Sequence, residues 1–376
     1  MAQGLERCHA ALDTHRVPQG ADVQVHVVFP MLSLERGGGC RVVVELANGL
    51  VRRGHAVTVV MPREGRLDWR LDAALTRVDQ LLPQSLPPCD VLVPNFWPTV
   101  EPAFRSGKGA VVRLSLGYEP LWVPNASAAR DTYRLPIPLI SISQWHRNLM
   151  LEKVGVDSTV IPPGVDLGIF RPLPGAARPL PPRVLYIYRS RAHGYWWKGQ
   201  EIFFAAMREV ARQIPGVNLQ LVMAEVERPE MDVPCPYQAF SGLSDVQLAT
   251  LYARADVFVS SPRFEAFSLP PLEAMASGCA AVTTDCGGVH EYVQPSRNAL
   301  MVPPDDPPKL ARAILAVLRN PALAEGLRQE GVRTAQMWSW DIAVARFEQF
   351  LLERAGAPKG RSSSWLQFWG HSSQWP

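Results

Sequence analysis

Apolar and polar residues follow the same rhythm in two successive stretches of this chain: a short apolar run, a segment with apolar residues three and four apart, then another short run. Val23–Phe29 (VQVHVVF) is nearly continuous in apolar residues, as a strand buried on both faces of a parallel sheet must be. The period then changes and predicts a helix over Cys40–Arg53, stopped by Gly54, followed by a second strand at Ala56–Met61. This is a βαβ unit whose first crossover, Pro30–Gly39, ends in three glycines. Strands at Asp90–Pro94, Ala110–Leu114 and Leu139–Ile142 and a helix at Gln144–Val154 continue the pattern. The rhythm restarts at Arg183–Tyr188 (RVLYIY), with a helix at Gln200–Gln213 and strands at Asn218–Met223 and Tyr237–Phe240. Ser244 caps a helix over Asp245–Ala255, and strands follow at Asp256–Ser261 and Ala280–Thr284. From Asp306 onward the pattern is helical.

Two α/β domains follow from this order. Residues 1–21 read as a loose leader, 22–171 as an N-terminal domain, and the Pro- and Gly-rich 172–182 as a linker. Residues 183–337 form the second domain, 338–355 a final helix, and 356–376 a Ser-rich tail containing Trp365, Phe368, Trp369 and Trp375. The tail's tryptophans leave peripheral membrane contact open, but their irregular spacing favours a disordered or weakly packed segment.

Composition narrows the classes. A chain of 376 residues, 47% hydrophobic, buries substantial cores, and a net charge of only +3 gives no electrostatic case for a nucleic-acid partner. No apolar run approaches the length that spans a bilayer, and the polar N-terminus is unlike a secretory signal. The six cysteines are scattered without a CxxC pair, which fits a reducing cytoplasm and argues against a structural metal.

The chemistry is concentrated in Arg263–Gly278, RFEAFSLPPLEAMASG. Glu265 and Glu273 flank seven residues between a strand and a good helix former. The order strand, loop, helix N-terminus offers unpaired backbone N–H groups to a phosphate. Carboxylates repel phosphate, so their natural partners are sugar and ribose hydroxyls. The spacing alone arises by chance about once in such a chain, so its context carries the meaning. Helix capping explains Asp305-Asp306, the only Asp-Asp pair, better than metal binding does.

That context, SSPRFEAFSLPPLEAMASGCAAVTTDCGG, resembles the signature of family-4 retaining glycosyltransferases. These are GT-B enzymes with two Rossmann-like domains facing each other across a cleft, and they include sucrose and glycogen synthase-like proteins. The resemblance extends over most of residues 22–355. Ser158–Arg171 is similar to the turn that closes the family's first domain, with Pro163 in place of the usual Asn. Trp338–Asp341 and the helix Ile342–Leu352 resemble the segment that crosses back onto that domain.

The resemblance implies transfer of a sugar from a nucleotide diphosphate-sugar to a saccharide, lipid-linked or small-molecule hydroxyl, with no cofactor and no metal. It assigns donor binding to Gly37, Gly38 and Gly39, to the backbone of Ala266, Phe267, Ser268 and Leu269, and to Glu273 on the ribose. Glu265 would face the donor sugar. Arg189 and Lys198 would face the diphosphate, with Arg191 competing for the arginine role and Tyr188 standing where the family has Gly. The His that many members carry after the fourth strand is missing from Val111–Trp122, leaving Tyr118 and Glu119 as acceptor-side groups. His146 reads as a surface or packing residue, and His193, Trp196 and Trp197 read as loop packing. His290 occupies the Pro position of the family's GG-x-P-E turn and is given no role. A nucleotide-sugar 2-epimerase and a catalytically inactive GT-B subunit stand as alternatives.

Overall fold

A computed structural model describes residues 23–355 apart from 176, 177, 179 and 225–228; the leader, the tail with its tryptophans and part of the linker lie outside the described residues. In the first domain, β1 (His26–Pro30), β2 (Ala56–Pro62), β3 (Ala74–Val78), β4 (Val91–Leu92) and β5 (Ala110–Val111) form a parallel sheet in the order β3-β2-β1-β4-β5. A second set, β6 (Arg113–Leu114), β7 (Leu139–Ser141) and β8 (Thr159–Val160), extends it. The two sheets meet along Ala110–Ser115. There, the N–H groups of Val112 and Leu114 bond the carbonyls of Leu92 and Pro94, while those of Arg113 and Ser115 bond Pro138 and Ile140. Alternate N–H groups of one extended segment thus serve neighbours on both sides.

The second domain holds β9 (Arg183–Ile187), β10 (Asn218–Val222), β11 (Tyr237–Phe240), β12 (Val257–Ser260), β13 (Ala280–Thr284) and β14 (Leu300–Val302). All are parallel, in the order β11-β10-β9-β12-β13-β14. Both domains are doubly wound, with β1/β4 and β9/β12 as the points where the winding reverses. The apolar runs bury where expected: Val27, Val28 and Phe29 in β1, and Val184, Leu185 and Tyr186 in β9, are all inaccessible to solvent or nearly so.

The helix Trp340–Ala355 returns to the first domain. It packs so closely on the helix Gly38–Arg52 that a Cβ on Gly49 would lie 2.3 Å from Val344. Glu348 on this helix receives Arg53 Nε at 2.7 Å and meets His55 Nε2 at 2.8 Å. The two crossings between domains also touch, Val165 N–H bonding Trp338 O at 2.8 Å, and a Cβ on Gly164 would collide with Ser339 at 2.3 Å. A single buried cluster consequently runs from Phe29 through Phe170 to Phe267 and Phe347, joining the domains. No described helix is long and apolar enough to cross a membrane.

Candidate functional site

The loops leaving β9 and β12 splay apart at the reversal of the second sheet, the crevice in which open α/β sheets bind ligands. The β9 loop is drawn in by its neighbours. The Tyr188 ring is buried against Phe204, and its hydroxyl accepts the Glu230 N–H at 3.2 Å. The Glu230 carboxylate in turn accepts the Ala192 N–H at 2.9 Å and the Ser190 hydroxyl. Gly199 closes the loop at φ +66, where any Cβ would lie 2.0 Å from Ser261 O, so this position needs glycine. The turn sets Lys198 opposite the β12 loop, and its ammonium forms a close ion pair with Glu265. Both side chains are only partly exposed, 31% for Lys198 and 18% for Glu265.

Glu265 is held through its backbone. Its N–H bonds Cys286 O at 2.8 Å and its carbonyl receives Gly288 N–H at 2.9 Å. A Cβ on Gly288 would sit 2.1 Å from Ala266 O, so the Gly287-Gly288 turn is what lets the two loops lie together. Next in the chain, Ser268 adopts φ 69, ψ 83, a left-handed conformation costly for a residue with a Cβ, and Tyr292 Oη anchors its carbonyl at 2.5 Å. This turn leaves a row of backbone donors unpaired: none of the N–H groups of Ala266, Phe267, Ser268 and Leu269 bonds another described residue. The helix Leu269–Ala276 that follows has no side-chain cap, no acid in its first turn, and prolines at its second and third positions.

Across the cleft the helix Gly38–Arg52 is built alike, with Gly37 at its start, no side-chain cap and no acid in the first turn. The ends approach closely, a Cβ on Gly38 lying 4.0 Å from Leu269 Cδ1 and one on Gly39 3.5 Å from Leu116, while Gly37 faces open space. Two uncapped N-terminal dipoles and Lys198 make this crevice favourable for an anion.

Glu273, one turn inside its helix, is buried at 9% exposure, and its carboxylate receives the Tyr252 hydroxyl at 3.3 Å. Burial raises its pKa to about 7, with Arg41 opposing the rise and Asp245 adding to it. Arg189 is half-buried as a residue; its guanidinium bonds its neighbour's carbonyl (Tyr188 O, 3.3 Å) and has its pKa lowered chiefly by burial. Arg191 is half-exposed and lies 3.4 Å from Glu201, which also binds Arg263 at 2.6 Å.

The acceptor-side expectation needs correction. Tyr118 and Glu119 are buried at 4% and 3% exposure, so neither presents a polar group to the cleft. Glu119 is enclosed by the fully buried Arg113 at 3.0 Å and by the Tyr133 hydroxyl, and Tyr118 packs against Tyr133 with ring centres 5.3 Å apart. An interior arginine demands a carboxylate, and Glu119 answers it. His146 lies beneath the same network as a packing residue, fully buried, with its pKa pushed down to about 3 by burial and by Arg113. His290 pairs at the surface with Asp285 at 2.7 Å. Facing the cleft from the first domain is Trp122, whose ring lies 5.4 Å from Trp197 and 6.3 Å from Phe264. A cleft of about 430 Å³ lies beside the Glu265 turn, between Trp145 and the side chains of Arg263, Asp285 and His290.

Sequence reasoning also missed Arg41, Asp245 and Tyr252 around Glu273. The available signal was an arginine at the head of the mostly apolar run VVVELANGL. Among the described residues no group of three or more His, Cys, Asp or Glu is placed to hold a metal. Asp306 caps its helix through the Lys309 N–H at 2.9 Å, and Asp305 pairs with Arg263 at 2.8 Å.

Residues 181–320 match the family described as Glycosyl transferases group 1. D-inositol 3-phosphate glycosyltransferase of Segniliparus rotundus is 31% identical over 205 residues, covering 49% of this chain and 44% of that protein. The chain spans about half the length of the curated relatives it matches. Among solved structures, sucrose-phosphate synthase from Thermosynechococcus elongatus superposes with a TM-score of 0.73 at 20% identity, over 88% of this chain and 99% of that one. HepE from Anabaena in complex with UDP-glucose gives 0.69 at 16% identity, again over 88% and 99%. At such identities the likeness is one of fold, the GT-B arrangement of two Rossmann-like domains.

Proposed function

From a chain whose residues 181–320 match the Glycosyl transferases group 1 family and whose two domains adopt the GT-B fold, we propose a retaining glycosyltransferase that moves a sugar from a nucleotide diphosphate-sugar to a hydroxyl acceptor. The observation that carries this reading is the Lys198–Glu265 pair, set in a crevice between two uncapped helix N-termini with the buried Glu273 one turn behind.

The diphosphate lies against the backbone N–H groups of Ala266–Leu269 and the Gly37–Gly39 end of the opposing helix. Lys198 leaves Glu265 for the phosphate, where its charge stabilises the leaving group as the bond breaks. Arg189, half-buried and free of a carboxylate partner among the described residues, adds a second positive charge. Glu273 accepts both ribose hydroxyls. Glu265 orients the sugar's hydroxyls and favours the positive charge that grows at the anomeric carbon. The bond from that carbon to phosphate oxygen breaks, the bond to acceptor oxygen forms on the same face, and a diphosphate oxygen takes the acceptor's proton. The protein's cations supply the charge that a metal would otherwise bring, so the reaction runs without one.

HepE is in complex with UDP-glucose, and UDP is accordingly the first nucleotide to try here. Thermal shift with UDP, GDP, ADP and dTDP, followed by mass spectrometry of products from the preferred donor and a panel of saccharide, lipid-linked and small-molecule acceptors, tests the reading. Acceptor-dependent release of nucleotide with a glycosylated product supports it. Donor isomerised without acceptor points to an epimerase, and binding without turnover on any acceptor points to an inactive subunit.

A further inference from the structure

Two arginines on either side of the Gly37–Gly39 run reach from the first domain onto one corner of the second. Arg36 donates to Leu243 O at 2.8 Å, and Arg41 bonds Asp245 at 2.9 Å as well as Glu45 at 3.0 Å. Both guanidinium groups lie 5.2 Å from the Trp69 ring, whose indole N–H is fixed to Glu35 O at 3.0 Å. Arg41 is only 5% exposed, so its charge is held away from water and must be met by charges of opposite sign. Those are Glu45 on its own helix and, from the other domain, Asp245 and Glu273.

We propose that Arg41 is a positioning residue for the donor nucleotide: docked on Asp245, it brings a first-domain charge to Glu273, so that the ribose-binding carboxylate is fully formed only when the domains are closed. This rests on the reading of Glu273 as the ribose ligand. The groups that act on Glu273 are Arg41 and Glu45 from the helix Gly38–Arg52, Asp245 and Tyr252 from the helix Asp245–Arg254, and Tyr292 beyond the Gly287-Gly288 turn. Arg41 is the cation of the set. Burial, Asp245 and Glu45 all favour a proton on Glu273, and Arg41 opposes them. A protonated carboxyl loses the paired acceptors that suit a ribose diol. Because Arg41 and Asp245 sit on different domains, closure and nucleotide affinity become one equilibrium, and each strengthens the other by the same factor.

The test is calorimetric affinity for whichever of UDP, GDP, ADP and dTDP binds tightest, measured from pH 6 to 9 on the full chain and on R41M, R41K, E45Q and E273Q. The nucleotide's terminal phosphate titrates at the low end of this range in every arm, so only differences between proteins count. Wild-type affinity is expected to rise as pH passes about 7 and then level off. In R41M the rise moves up by about a pH unit, with roughly fivefold weaker binding at pH 7 that recovers towards pH 9. R41K restores the wild-type profile. E45Q, which removes an anion, moves the rise to lower pH and keeps the idea testable if R41M does not fold. A wild-type profile in R41M, or no shift in E45Q, overturns the inference. Weak binding by E273Q alongside an unchanged R41M profile sinks only the role of Arg41, whereas wild-type binding by E273Q sinks the ribose reading itself.

Discussion

At the scale of single residues the proposed chemistry depends on where charge is held. Lys198, paired with Glu265, is the cation proposed to face the leaving diphosphate. We predict that K198A keeps its fold and loses roughly two to three powers of ten in turnover, as other preorganised electrostatic contacts do. Normal turnover in K198A would transfer the role to Arg189. Glu273 carries a trade-off. Substitution by Gln is expected to weaken nucleotide binding by on the order of 1–3 kcal/mol, through loss of a charge-assisted contact, and calorimetry reads this directly. The same carboxylate is buried with its pKa raised to about 7. A raised carboxylate pKa means the folded state holds its proton more tightly, so ionisation costs stability as pH rises through that value. E273Q should therefore melt at a higher temperature than wild type at pH 8, with little difference near pH 5. Equal melting at both pH values would show that Glu273 is not strained by burial. The sequence singled out the two Glu and Lys198 by their types and order, and the structure brings Lys198 against Glu265. The place of Glu119 was not legible, since nothing local says that its partner is the buried Arg113.

Elements were legible where a single period ran long enough. The strands at Ala56, Arg183 and Ala280 and the helices at Gln144 and Gln200 lie where the sequence predicts them. What was missed is short or marginal. Ala74–Val78 is an edge strand with three exposed residues, and Leu300–Val302 spans three residues in all. The helix Trp97–Ser106 carries an internal proline, and Ala126–Thr132 is seven residues long. The Gly287-Gly288 turn shows how an element can hold a site it does not itself form. A methyl group at Gly288 meets Ala266 O at 2.1 Å, so backbone must move and take Glu265 with it. G288A is expected to lose about 1–3 kcal/mol of stability, as overpacked sites do, and to lose turnover as well. A variant with wild-type melting and wild-type rate would contradict the idea that this turn sets Glu265.

For the whole molecule, two doubly wound sheets face each other, and the last helix and the paired crossings at Val165 and Trp338 hold them together. That two-domain class was readable from the alternation of periods, while the cross-domain contacts of Arg36 and Arg41 join residues some two hundred positions apart and leave no local trace. On the proposed reading, Lys198, Arg189 and two helix ends supply the charge needed at the diphosphate. Turnover with the preferred donor is thus expected to survive excess EDTA, and full inactivation with rescue by Mg²⁺ would overturn the metal-free step alone. The central claim, sugar transfer on the face the nucleotide leaves, is tested most directly by NMR of the product formed from a donor of known anomeric configuration. The account predicts a new glycosidic linkage with the donor's configuration retained, and an inverted linkage would contradict it.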